Sequence, residues 1–380
     1  MTTNGNGKDP ILVIVQLSGG NDFMNTVVPY NDSHYRDWRP TLGVPEGDIL
    51  PIDGGLGIFN AAAPLKEFYD QGNMAIVQGV GYPNGSRSHF RSMYIWHTCE
   101  PVKLVTEGWL GKAVGEFDPN HENVLTGVNF GRGLPQAMVS QGVPVTSVGD
   151  LDNYGLMSGI SEEDGRMEAL ERFKEMYAPA VGSGLVMEYL SQTGLGVISG
   201  GDILTSVPGQ YESTVEYAGN EIARSLRDVV RVLTADVGTR IFYTQHGGYD
   251  THANQGPTHP QLISDVSRAI MDFYQDLEDH NAADNVVTLV FTEFGRRVSD
   301  NGSGTDHGAG GGAFLIGKPV KGGLYAEYPS LDPKKLENGE DLAHTYDFRG
   351  LYSTILEQHM GLDAAPIVGG TFEQIPAFKN

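Results

Sequence analysis

Apolar residues along this chain fall into two kinds of segment. Ile11–Leu17 (ILVIVQL) is an unbroken, β-branched run that ends in Ser18-Gly19-Gly20. A short apolar run closed by glycines reads as a strand buried on both faces of a parallel sheet. Met74–Gln78, Arg240–Thr244 (RIFYT) and Val286–Phe291 (VVTLVF) repeat the pattern. Other segments carry their apolar residues three or four apart, the spacing of a helix with one buried face. Ala61–Tyr69 is one. Tyr217–Ala235 is another, with Ile222, Leu226, Val229, Val230 and Leu233, as is Gln261–Asn281, with Leu262, Val266, Ile270, Phe273 and Leu277. Ser161–Tyr177 opens on a capping serine followed by acids and reads as a surface helix. Strands alternating with helices across glycine-rich exits predict an α/β protein, a doubly wound and mostly parallel sheet with helices on both faces. One domain over residues 1–380 is expected, with a largely helical insertion near 155–235 against a sheet edge. Lys318–Pro333 reads as irregular.

Composition narrows the functional classes. The 48 acidic and 25 basic residues give a net charge of −23, which argues against nucleic acid or an anionic membrane as partner. An anionic substrate would need local positive charge from arginine or a metal. With one cysteine, Cys99, no internal disulfide forms. No run of about 18 apolar residues is present, so no membrane span is expected. The start, MTTNGNGKDP, lacks the charged-then-apolar order of a signal peptide. The chain as it stands reads as cytoplasmic, or as periplasmic or exported where a leader has been removed.

In open α/β sheets ligands bind beyond the carboxyl ends of the strands, so polar residues there carry most weight. After the first strand, LSGGNDFMNT presents Asp22, either a metal ligand or part of a helix-capping turn. After the second, GYPNGSRSHFRSMYIW places Ser86 and Ser88 at the start of a helix. Each is a candidate nucleophile or an ordinary N-cap, with Arg87 and Arg91 able to hold an oxyanion. TQHGGYDTHANQ brings His246, Asp250 and His252 within seven residues, and an extended chain would point Asp250 and His252 to one side. Imidazole with carboxylate favours Zn²⁺ or Mn²⁺ over Ca²⁺ or Mg²⁺. His259 stands close by. Last, FTEFGRRVSDNGSGTDHGAGGG supplies Glu293, Arg296, Asp306 and His307, the last two in a glycine-rich loop.

These motifs together (LSGGNDFMNTVVPY, RPTLGV, PNGSRSHF, GGYDTHANQ, TEFGRR, GTDHGAGG) resemble the bacterial domain-of-unknown-function family 1501, from about Ile11 to the DFRGLYSTIL segment at Asp347–Leu356. That family is grouped with the alkaline phosphatase and sulfatase superfamily. The resemblance implies an alkaline-phosphatase-like fold and a divalent metal at the carboxyl edge of the sheet. It also implies a Ser, Thr or modified Cys at a helix start that attacks phosphorus or sulfur. Carried onto this chain, Asp22, Asp250, His252 and His307 would hold metal, with Glu293 and Asp306 as further candidates. Ser88 or Ser86 would attack, and Arg87, Arg91 or Arg296 would stabilise charge. Two departures stand out. Asp250 and His252 are two apart where the superfamily commonly shows Asp-x-x-x-His, and Glu293-Phe294 stands where an Asp-His turn is usual. Members of the family often carry a twin-arginine leader. The expected activity is metal-dependent hydrolysis of a small-molecule or glycan phosphate or sulfate ester. A non-catalytic binding or assembly protein on a degenerate hydrolase fold, or a phosphomutase, is the alternative.

Overall fold

In a computed structural model the chain is described over residues 8–152 and 207–379, with scattered positions between 165 and 204. The strands are β1 (Ile11–Leu17), β2 (Val27–Val28), β3 (Ile49–Pro51), β4 (Gly57–Phe59), β5 (Met74–Gly81), β6 (Gly127–Phe130), β7 (Thr146–Val148), β8 (Ile241–His246), β9 (Val286–Thr292), β10 (Gly311–Ile316), β11 (Gly323–Tyr325) and β12 (Tyr346–Asp347). The helices are α1 (Ser33–Trp38), α2 (Ala63–Asp70), α3 (His89–Thr98), α4 (Trp109–Phe117), α5 (Glu221–Thr234), α6 (Gln255–Asp279), α7 (Phe348–Gln358) and α8 (Ala364–Val368).

Nine strands form the main sheet in the order β11-β5-β10-β9-β1-β8-β6-β7, with β12 beside β5. Every pairing is parallel except those of β10, which runs antiparallel to both β5 and β9. The expected mostly parallel α/β sheet is therefore present. A small antiparallel sheet, β2-β4-β3, lies apart from it.

All seven residues of β1 are buried, and their alternation divides them between two cores. Ile11, Val13, Val15 and Leu17 join α2, α5 and α6 in one; Leu12 and Ile14 join α3, α4, α7 and α8 in the other. This places helices on both faces. Ile222, Leu226, Val229 and Val230 of α5 and Ile263, Val266, Ile270 and Phe273 of α6 are fully buried or nearly so, in accord with their helical spacing.

The four predicted strands are present with small shifts at their ends. Helix α6 starts at Gln255, six residues before its predicted start, and carries Pro260 inside it. A proline near a helix start reads in sequence as a boundary, but its missing N–H matters least in the first turns. The turn-rich stretch Lys318–Pro333 contains one short strand, β11. Of the expected insertion, α5 is described and packs against α6 and β8 as part of the connection into the sheet. The helix expected over Ser161–Tyr177 and most of the remainder lie outside the described residues.

Candidate metal and active site

The exits of β5, β8 and β9 open on the same edge of the sheet, beside β1. Each delivers polar side chains to one place. From β5 the chain turns through residues 82–88 into α3, whose N-cap is Ser88 and whose first residue is His89. From β8 it turns through Gly247-Gly248 to Asp250 and His252. From β9 it passes Glu293 and Arg296, then loops to Asp306 and His307. An isolated antiparallel bridge between Arg296 and His307 pins that loop back on itself.

Close backbone approach makes this convergence possible. Gly19, at φ +121°, would carry a Cβ 2.4 Å from the Asp250 nitrogen, so only glycine lets the β1 exit touch the β8 loop. A Cβ on Gly304 would lie 2.2 Å from the Thr251 carbonyl oxygen, which seats the glycine-rich loop against the same segment.

Donor atoms of His89, Asp250 and His307 all lie within 4.8 Å of one another. His252 joins them through its Nε2, 3.1 Å from Asp250 Oδ1 and 2.9 Å from His307 Nε2. Each imidazole is fixed by its other nitrogen. His307 Nδ1 lies 2.7 Å from the Arg87 carbonyl oxygen, His252 Nδ1 2.9 Å from Asp306 Oδ1, and His89 Nδ1 2.7 Å from Glu293 Oε1. All three partners are acceptors, so all three Nδ1 atoms donate and each neutral ring keeps its lone pair on Nε2. Two lone pairs then face each other at 2.9 Å, and the buried Nε2 of His89 has no hydrogen-bond partner. A cation among them resolves both defects. Three imidazole nitrogens and a carboxylate with oriented outer partners are groups that could hold a metal ion, His89, Asp250 and His307 lying closest together.

Charge is arranged to match. Partial burial would raise the Asp250 carboxyl, but the hydrogen bond and positive charge of Arg296 lead the effects that outweigh it and hold the group at about 2. The hydrogen bond to Glu293, with that group's charge, raises the His89 imidazole above its ordinary value.

Several expected residues take other positions. Asp22 is buried and does not join the cluster: Arg39 Nη1 donates to its Oδ2 at 2.5 Å, Arg39 Nη2 to its Oδ1 at 3.1 Å, and Gln255 Nε2 to Oδ2 at 2.6 Å. Burial acts to raise this carboxyl, and Arg39 outweighs it, so the group stays ionised below the usual carboxylate range. Its lone pairs are spent on an internal ion pair, which corrects the expectation of a metal ligand. Arg296 is also buried; it donates to the carbonyls of Gly20, Thr305, Gly19 and Tyr249 and to Asp250 Oδ1. So engaged, it scaffolds Asp250 and is not free to clamp an oxyanion. Arg87 pairs with Asp341 and, more distantly, Glu340. Arg91 donates to the Pro101 carbonyl oxygen. Glu293 and Asp306 sit behind His89 and His252 as hydrogen-bond acceptors. Ser88 is exposed and its hydroxyl makes no capping bond, while Ser86 Oγ accepts from the Ser88 N–H at 3.3 Å.

His89 is the residue that sequence reasoning overlooked. It stands in the same S-R-S-H-F segment as the serines, at a strand exit like the other histidines, and that parallel was the available signal.

The family model described as "Protein of unknown function (DUF1501)" matches residues 210–373, which bears out the resemblance over that stretch. No curated protein matches the chain. Similar solved structures are members of the alkaline phosphatase and sulfatase superfamily. One is the PsFucS1 sulfatase from Pseudoalteromonas sp., at 11% identity over 97% of this chain and 71% of that chain, with a TM-score of 0.42. Another is Ps i-CgsB in complex with k-i-k-neocarrahexaose, at 13% identity over 96% of this chain and 73% of that chain, TM-score 0.41. A third is the alkaline phosphatase from the Antarctic bacterium TAB5, at 12% identity over 84% of this chain and 95% of that chain, TM-score 0.35. Among the described residues, no helix is long and apolar enough to cross a membrane.

Proposed function

We propose that the chain is a metal-dependent hydrolase of phosphate or sulfate esters, with His89, Asp250, His252 and His307 as the cation's ligands. The observation that carries this reading is the convergence of three Nε2 lone pairs on one ionised carboxylate, each ring held by an acceptor on its far side. The donor set favours Zn²⁺ or Mn²⁺. When bound, such a cation neutralises ester charge and lowers the pKa of a nearby hydroxyl.

Ser88 is the proposed nucleophile. It immediately precedes His89, it is exposed, and its hydroxyl is not spent on the helix N-terminus. Its oxygen would form the new bond to phosphorus or sulfur as the bond to the leaving alcohol breaks. Water would then cleave the seryl ester and restore Ser88, with protons exchanged through solvent at this open position. The first N–H groups of α3 lie beside it and favour an anion there. Glu293 and Asp306 would orient His89 and His252, in place of ligating. The Glu293-Phe294 departure from the superfamily pattern is thereby accommodated: Glu293 supports a histidine from the β5 exit, and the Phe294 ring lies against His89, centroids 4.9 Å apart.

Metal analysis and hydrolysis of phosphate and sulfate esters by wild type, His89→Ala and Ser88→Ala test this. The expected result is metal and turnover in wild type, loss of both in His89→Ala, and loss of turnover alone in Ser88→Ala. Undiminished turnover in Ser88→Ala would remove Ser88 from the mechanism. Metal without turnover of any ester in wild type would favour a binding or assembly role.

A further inference from the structure

The loop from β5 to α3, which carries Ser86 and Ser88, has little backbone bonding of its own. Among the described residues, no N–H of positions 84–87 donates to a backbone carbonyl. Hydroxyl groups take that part. The Ser86 N–H donates to Tyr82 Oη at 2.9 Å, the Tyr82 hydroxyl donates to Ser92 Oγ at 3.1 Å, and the Ser92 hydroxyl donates to the Glu293 carbonyl oxygen at 2.6 Å. The direction is forced. An N–H can only donate and a carbonyl only accept, so both hydroxyl protons point from the loop towards Glu293. Tyr82, Ser92 and Glu293 are 5%, 0% and 2% exposed, so water does not compete for these bonds. Ser86 Oγ passes the hold on to the Ser88 N–H at 3.3 Å. Ser88 is the N-cap of α3 at φ −91°, ψ 122°, so its direction depends on the incoming loop as well as on the helix.

Glu293 thus has two arms. Its carboxylate Oε1 lies 2.7 Å from His89 Nδ1 and accepts from the Gly19 N–H at 2.9 Å. Its carbonyl holds the loop through Ser92 and Tyr82. We propose that Tyr82 and Ser92 are positioning residues, which fix the Ser88 hydroxyl relative to the cation ligand His89 and touch neither cation nor ester. The proposal rests on the hydrolase reading. A loop without this hold would present the same nucleophile at a variable distance, and a misplacement of about 1 Å can cost about 100-fold in rate. The two arms are separable, because the Glu293 carboxylate keeps its Gly19 donor when Tyr82 loses its hydroxyl.

Tyr82→Phe removes the hydroxyl and keeps the ring packed edge-on against Phe348, centroids 5.8 Å apart. The zinc-loaded full chain is assayed with p-nitrophenyl phosphate and p-nitrophenyl sulfate. Zinc affinity is measured by chelator competition, and amide exchange of the loop by mass spectrometry. In Tyr82→Phe kcat is expected to fall about 10–100-fold, with KM and zinc affinity within about threefold of wild type. Amide exchange across residues 84–88 should be about tenfold faster or more, with that of α3 unchanged. Ser92→Ala should give the same pattern, and the double variant should be no slower than the slower single, since both hydroxyls belong to one chain of bonds. A fall in zinc affinity that matches the fall in kcat overturns the proposal, as does loop exchange unaltered by Tyr82→Phe. If wild type and Tyr82→Phe turn over ester equally, the positioning role alone fails and the hydrolase reading stands. If wild type turns over neither ester while loop exchange responds as expected, the hydrolase reading fails and the hold on the loop stands. If neither turnover nor the exchange response is seen, both fall.

Discussion

Replacement of Arg39 by alanine separates a structural role for Asp22 from a metal-binding one. In the folded chain the two side chains are 0% and 1% exposed, and the guanidinium also donates to the Val298 carbonyl oxygen at 2.6 Å and that of Arg297 at 2.9 Å. Arg39→Ala leaves the Asp22 carboxylate buried with Gln255 as its remaining side-chain donor. Breaking a buried pair in this way costs about 3–5 kcal/mol. The two carbonyls that lose a charged donor add to that cost, and water entering the space left by the side chain offsets part of it, so about 4–6 kcal/mol is expected. Against a typical total of about 5–15 kcal/mol this is a large loss. Urea unfolding reads it as a lowered midpoint at constant slope. The double variant Asp22→Asn/Arg39→Met, which removes both charges and keeps most of the volume, should be more stable than the sum of its parts by about 2 kcal/mol or more. Arg39→Ala with a loss below about 1 kcal/mol, or strict additivity in the cycle, would refute the reasoning. Metal loss in a fully stable Asp22→Asn would restore Asp22 as a ligand.

Three further outcomes follow from the same geometry. Glu293→Gln weakens the hold on His89 Nδ1 and should lower metal affinity about 10–100-fold, measured by competition with a chromogenic chelator. Gly304→Ala sets a Cβ against the Thr251 and His252 backbone and should destabilise the fold by about 1–3 kcal/mol, read by urea unfolding. His97, His259 and His359 are buried and held down to about 4, in each case chiefly by burial. Each stays neutral in the folded chain while the unfolded chain takes up a proton near the ordinary histidine value. The folded state therefore loses stability as pH falls from about 6.5 towards 4, by on the order of 3 kcal/mol per histidine, and is unaffected above that window. A urea midpoint that stays constant from pH 7 to 4.5 would contradict this.

The sheet was legible because its central strands are buried on both faces, which writes an unbroken apolar run into β1, β5, β8 and β9. The edge strands β7, β11 and β12 are two or three residues long and leave no such run. Strand β10 begins in glycines that belong equally to the loop before it. Most of the candidate site was legible through the strand exits, since His252, Asp250 and His307 stand in loops where no apolar core requires them. What the sequence does not show is which oxygens are already taken. Asp22 and Arg296 have the right chemistry at the right edge, but Arg39, 17 residues on from Asp22, and a ring of carbonyls from three separate loops claim them, pairings that only the fold reveals. His89 was hidden for the opposite reason: it opens a helix and borders Phe90, so it reads as helix surface until the β8 loop is folded against it.

The central claim is that His89, Asp250, His252 and His307 form one cation site, and zinc titration of the chelator-treated full chain tests it most directly. The expected result is one equivalent per chain in wild type and in Asp22→Asn, with affinity at least about 100-fold weaker in His89→Ala. Absence of zinc binding in wild type, or undiminished affinity in folded His89→Ala, would contradict it.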